Sequence, residues 1–136
     1  MLSDGECYEG SIWEAALAAP AFKLARLVVL IDRNRLTMDG FTEQLVPLEP
    51  LEAKWAAFGW RVWPCDGHDL DAICDALDGA QADDAAGRPA VIIADTVKGK
   101  GVDFMEDSPK WHYGGLDSAM FERALSSLRS APARRS

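Results

Sequence analysis

Ser3-Asp4-Gly5-Glu6, a helix-length segment, and then Leu27-Val28-Val29-Leu30-Ile31-Asp32-Arg33-Asn34-Arg35-Leu36 form the stretch that decides the fold. Leu27 to Ile31 is a continuous apolar run of strand length, the pattern of a parallel strand covered on both faces. Between the two stretches, Glu9 to Ala18 places Ile12, Trp13, Ala16 and Leu17 on one side of a helix, which Pro20 is expected to end or kink. In an α/β unit, residues leaving the C-terminal ends of neighbouring parallel strands converge on one crevice. Asp4 before the helix and Asn34 after the strand are therefore expected to meet.

The remainder continues the alternation. Thr37 to Pro50, with Asp39-Gly40 and two prolines, reads as a loop. Leu51 to Phe58 reads as a helix closed by Gly59, Trp60 to Cys65 as a strand, and Asp69 to Leu77 as a helix closed by Gly79. Ala90 to Val97 is a second buried strand, Lys98 to Gly115 a glycine-rich loop, and Leu116 to Leu128 an amphipathic helix. Three strands with helices between them predict a parallel sheet flanked by helices. The strand that should deliver Asp4 is reduced to Met1-Leu2, so Leu27 to Ile31 is expected to be an open edge. Residues 1–129 are expected to form one α/β unit, and residues 130–136 a flexible tail.

Composition narrows the class. Of 136 residues, 49% are apolar, enough for a core. Lys and Arg total 14 against 22 Asp and Glu, a net charge of −8, which argues against a nucleic-acid or anionic-membrane surface. No apolar run approaches the roughly 20 residues needed to cross a bilayer. Cys7, Cys65 and Cys74 are odd in number and lie in no metal-ligand spacing, so reduced thiols in a cytoplasm are expected.

The Asp4–Asn34 pair has a chemistry of its own. Mg²⁺ demands hard oxygens and usually takes one or two protein carboxylates, leaving its other positions to phosphate oxygens and water. Asp4 can supply the charged ligand, Asn34 a neutral oxygen, and Gly5 a close approach of backbone to the ligand. The following helix, beginning near Glu9, would direct N–H groups at an anion. The alternative is a helix-capping role for Asp4 and a turn role for Asn34, both common.

Beyond these two residues, Asp4 to Ala16 and Leu27 to Leu36 closely resemble the thiamine-diphosphate signature of transketolases. Lys98-Gly99-Lys100-Gly101-Val102 and Trp111-His112-Tyr113-Gly114 resemble later transketolase segments, in the same order. The likeness is to the second half of the N-terminal subunit of split, two-chain transketolases. It implies that residues 1–129 are the C-terminal half of a larger domain with its upstream half missing, a partial thiamine-diphosphate-binding fold that transfers a two-carbon ketol unit between sugar phosphates. It also implies Mg²⁺ bound by Asp4, Asn34 and the main-chain oxygen of Leu36, with Gly5 against the cofactor and Glu9 at the contact between cofactor-binding halves. Lys98 and His112 match residues that approach the diphosphate and the reacting centre. The implied partner is a C-terminal subunit carrying the pyrimidine-binding domain, within a homo- or hetero-oligomer.

The sequence departs from the family pattern at Ser3, where the usual motif has a glycine, and at Gly114, where a lysine is common. Other readings are a different thiamine-diphosphate enzyme, such as a deoxyxylulose-phosphate synthase or ketoacid dehydrogenase component, or a non-enzymatic remnant or interaction module. His68 in Asp66-Gly67-His68-Asp69 reads as structural, Trp13, Trp55, Trp60 and Trp63 as packing, and Lys100 as solvated.

Overall fold

The computed structural model describes residues 1–82 and 85–130. Its sheet contains four parallel strands, β1 (Leu2–Ser3), β2 (Val28–Arg33), β3 (Arg61–Asp66) and β4 (Ala90–Asp95), in the order β1-β2-β4-β3. The helices are α1 (Gly10–Ala21), α2 (Thr42–Leu45), α3 (Leu51–Ala57), α4 (Leu70–Gln81) and α5 (Ser118–Ser130). The α/β class and the parallel sheet agree with the sequence reading.

β4 occupies the centre of the long pairings, and its alternation organises both layers. Val91 and Ile93 face a cluster with Ala16 and Ala19 of α1, Ile31, and Leu51 and Trp55 of α3. Ala90 and Ile92 face the other way, onto Ala76 and Ala80 of α4. Burial on both faces is the physical reason this strand reads as an unbroken apolar run. β3 lies at the sheet edge, where Pro64, lacking an N–H, leaves no ladder bond unmade on an inner strand.

Four expectations are corrected. The sheet has four strands rather than three, because Leu2 pairs with Ile31 and Ser3 with Asp32. β2 is thus an open edge only along Val28 to Leu30, whereas all six of its residues pair with β4 on the other side. α4 does not stop at Gly79 but runs on to Gln81, because Gly79 is a packing position: a Cβ there would lie 2.6 Å from the Trp63 ring. Pro20 lies in the last turn of α1, which ends at Ala21, in keeping with a helix-ending proline. The Thr37 to Pro50 segment contains the short helix α2. The tail expected over residues 130–136 falls, after Ser130 closes α5, outside the described residues.

The tryptophans pack as expected. Trp55 lies 4.9 Å from Trp60 and 5.6 Å from Trp13 between ring centroids. Trp60 donates from Nε1 to the Ala16 carbonyl at 2.8 Å, which gives its polar edge a partner inside the core.

Candidate functional site

β1 delivers Asp4 directly beside the exit of β2. After Ser3 pairs with Asp32, the Asp4 N–H donates to the Asp32 carbonyl at 3.1 Å. The Asp4 side chain is then fully buried, and its two oxygens differ. Oδ2 accepts from Arg33 Nη1 at 3.0 Å and from the Arg35 backbone N–H at 2.6 Å. Oδ1 is buried without a hydrogen-bond partner.

The turn after β2 is shaped to present that backbone donor. Arg35 adopts a left-handed φ of 61°, which a non-glycine residue holds only at a cost of order 1–3 kcal/mol, and such residues cluster at ligand clamps. Asn34 is buried, accepting at Oδ1 from the Leu36 N–H at 3.0 Å and donating from Nδ2 to Asp32 Oδ2 at 3.2 Å. Asp32 Oδ1 accepts in turn from the Thr96 hydroxyl, tying β2 to the end of β4. Leu36 is buried and bridges to Phe41. Asn34 and Leu36 therefore lie in the turn after β2, and Asp4 bonds to Arg33 and Arg35 on either side of Asn34.

The segment between Asp4 and α1 holds a turn absent from the sequence reading, while the helix begins beside Glu9 as expected. A 3₁₀ turn, Gly5–Tyr8, follows Asp4 directly, and α1 starts at Gly10. Ser3 belongs to this turn: its N–H donates to Glu6 Oε2 at 2.6 Å and its hydroxyl to the same oxygen at 3.1 Å, while the Glu6 N–H donates to the Ser3 hydroxyl at 3.3 Å. This reciprocal capping explains how serine serves where the family motif has glycine. The Ser3 backbone and hydroxyl donors also hold the Glu6 carboxyl below its ordinary pKa. Gly5 approaches the next turn closely, since a Cβ on it would lie 3.3 Å from Thr37 Cγ2. Glu9 is exposed at the N-cap of α1 and makes no side-chain capping bond.

Lys98 and His112 lie in the loop after β4. Gly99, at φ 76°, lets this loop fold onto itself, because a Cβ there would lie 2.6 Å from the Met105 carbonyl oxygen. The Asp107 N–H donates to the Lys98 carbonyl at 3.1 Å, and Phe104 packs edge-on to Trp111 with centroids 5.3 Å apart. Arg123 of α5 holds the loop through Asp103 at 2.8 Å. His112 ends a 3₁₀ turn, Pro109–His112, and is exposed. Among the described residues, no hydrogen bond or ion pair joins Lys98 or His112 to Asp4 or Asn34.

Two further features surround the turn. A cleft of about 710 Å³ opens at the C-terminal ends of β2, β3 and β4, lined in part by Arg35, Glu49, Cys65, His68, Asp95 and Lys100. His68 accepts at Nε2 from the Val97 N–H at 2.7 Å, so it fastens the turn after β3 to the exit of β4. Lys100 is exposed, as expected, and lies 3.5 Å from Glu106. The second feature escaped sequence reading. Arg33, only 2% exposed, donates to Asp4, to Thr42 Oγ1 at 2.9 Å, to Glu43 at 2.7 Å and to Glu49 at 2.9 Å. An arginine closing an apolar run is the only trace in sequence, and it does not say which acids the loop will return to it.

Residues 1–133 match the family model described as transketolase, thiamine diphosphate binding domain. The chain belongs to that family. It is 43% identical over 128 residues to a 6-deoxy-6-sulfo-D-fructose transketolase subunit of Clostridium sp. strain MSTE9, covering 94% of this chain and 46% of that protein. It is 41% identical over 129 residues to an apulose-4-phosphate transketolase subunit of Actinobacillus succinogenes, covering 95% of this chain and 46% of that one. Among solved structures, transketolase from Campylobacter jejuni superposes with a TM-score of 0.84 at 29% identity, over 94% of this chain and 20% of its own. The chain thus spans about half the length of the curated subunits it matches.

Proposed function

We propose that this chain supplies the wall of a two-subunit transketolase site that anchors the diphosphate of thiamine diphosphate through Mg²⁺. The buried, unpartnered Oδ1 of Asp4 carries this reading. A buried anionic oxygen without a partner costs at least about 1–3 kcal/mol, and a hard cation is the natural complement to it. The side-chain oxygen of Asn34 retains a second lone pair beyond its bond to Leu36, which suits a neutral ligand. The main-chain oxygen of Leu36 completes the protein's share, and Gly5 leaves room for the cofactor against the turn.

When bound, thiamine diphosphate supplies the carbon that carries a two-carbon ketol unit between sugar phosphates. This chain's residues bind and orient. Lys98 offers a movable positive charge to phosphate, and His112 a donor or proton carrier near neutral pH. Glu9, exposed at the start of α1, lies at the contact with a second cofactor-binding half. The pyrimidine-binding domain comes from a separate C-terminal chain, in keeping with the relatives that are named as subunits. The three free cysteines suit a cytoplasmic setting, and among the described residues no helix is long and apolar enough to cross a membrane.

Calorimetric titration of thiamine diphosphate with Mg²⁺ tests the reading, on the chain alone and together with a pyrimidine-binding subunit. Weak binding by the lone chain and tight binding by the pair are expected. In the pair, Asp4→Ala should cost far more affinity than Cys7→Ala; equal losses would refute the assignment.

A further inference from the structure

We infer that Arg33 is the positioning residue for Asp4, fixing its carboxylate so that Oδ1 alone is left for a cation and linking that oxygen to the loop from Thr42 to Glu49. The inference rests on the reading that Asp4 ligates a metal.

The guanidinium reaches four acceptors in two directions. Toward β1, Nη1 holds Asp4 Oδ2 at 3.0 Å. Toward the loop, Nη1 holds Thr42 Oγ1 at 2.9 Å, Nη2 holds Glu43 Oε1 at 2.7 Å and Glu49 Oε1 at 2.9 Å, and Nε adds Glu49 at 3.2 Å. A planar five-donor fork can satisfy this set, and a lysine point charge cannot. With Oδ2 held by Arg33 and by the Arg35 amide, the carboxylate has no freedom to rotate its second oxygen away from the ligand turn. One guanidinium here faces three carboxylates, so the cluster keeps a negative excess that an added cation would reduce. Partners that orient metal ligands from behind are commonly worth 10- to 100-fold in metal affinity. The same side chain also organises the loop, so cation binding at Oδ1 and ordering of residues 42–49 must favour each other.

The test uses the full chain with millimolar Mn²⁺ as probe, counting free ion by electron paramagnetic resonance, for the unaltered protein, Arg33→Lys, Arg33→Met and Asp4→Asn. Thermal unfolding without metal separates lost stability from lost affinity. Asp4→Asn should abolish binding, Arg33→Met should weaken it about 10- to 100-fold, and Arg33→Lys should fall between Met and the native residue. Amide exchange over residues 42–49 should slow on Mn²⁺ addition in the unaltered chain and not in Arg33→Met. If Arg33→Met does not fold, Arg33→Lys decides alone. Binding by a folded Arg33 variant within twofold of the unaltered chain, with Asp4→Asn inactive, overturns the positioning role. Binding by Asp4→Asn equal to the unaltered chain, or no Mn²⁺ binding by the latter, overturns the metal reading beneath it.

Discussion

Arg33 and Asp4 form an ion pair at 3.0 Å in which neither side chain is more than 2% exposed. Their relationship joins the end of β2 to the end of β1, two elements separated by the whole of α1. Taking both charges out of water carries a large desolvation cost, so the pair contributes through geometry and shared hydrogen bonds more than through net attraction. Arg33→Met should leave Asp4 buried and uncompensated and cost about 3–5 kcal/mol in urea unfolding. The double variant Arg33→Met with Asp4→Asn should cost less than the sum of the single changes. Strict additivity would mean that the two groups do not depend on each other.

The same arginine makes the protein acid-sensitive. Burial raises the pKa of Glu43, but the Leu48 backbone N–H and Arg33 outweigh it and hold the carboxyl below its ordinary value. Glu49 is likewise held down, with the Leu51 N–H and Arg33 prevailing over burial. Groups whose folded pKa is depressed add stability above the ordinary value of 4.5 and lose it as pH falls toward the lower folded value. Stability measured by denaturant should fall as pH drops below about 4.5, and Arg33→Met should flatten that decline.

Gly79 separates two meanings of a glycine near a helix end by the sign of one measurement. At an exposed interior position, Gly→Ala stabilises a helix by roughly 1 kcal/mol. Here the new methyl would meet the Trp63 ring at 2.6 Å. Gly79→Ala should therefore destabilise, by about 1–3 kcal/mol, as overpacking does. A rise in melting temperature would show that α4 does not pack as described.

Cys7 should be the silent thiol. Burial, with the Asp4 charge beside it, pushes its pKa from 9.0 up to about 11. The folded protein then keeps this proton where an unfolded chain gives it up, so its contribution is present below pH 9 and is lost between pH 9 and about 11. In mildly alkaline buffer an alkylating reagent should modify the exposed Cys74 and spare Cys7 until the chain unfolds, as peptide mass mapping would reveal.

The chain by itself should associate. Among the described residues Val28 to Leu30 have no strand neighbour on the β1 side, and α1 carries Leu17 at 64% exposure with Phe22 at 74% just beyond it. An open strand edge and exposed apolar side chains each favour pairing with another chain. Light scattering after size exclusion should give a mass above one chain at tens of micromolar, reduced by Phe22→Ser. A clean monomer throughout would contradict this.

By itself the sequence determined the alternation of strands and helices, because apolar runs buried on both faces and one-sided helices are local patterns. It also pointed to the exit of β2 as the place that Asp4 approaches, since residues leaving adjacent parallel strands converge. Tertiary structure decided the rest. The two-residue strand β1 exists only because β2 offers a paired edge, which no local propensity could announce. Gly79 is a contact rather than a stop because Trp63 from another element fills the space above it. Arg33 looked like part of a charged turn until chain folding brought Thr42, Glu43 and Glu49 around it. Long-range side-chain partners are set by the path of the loop, and a guanidinium can be buried only where that path returns enough acceptors to replace water.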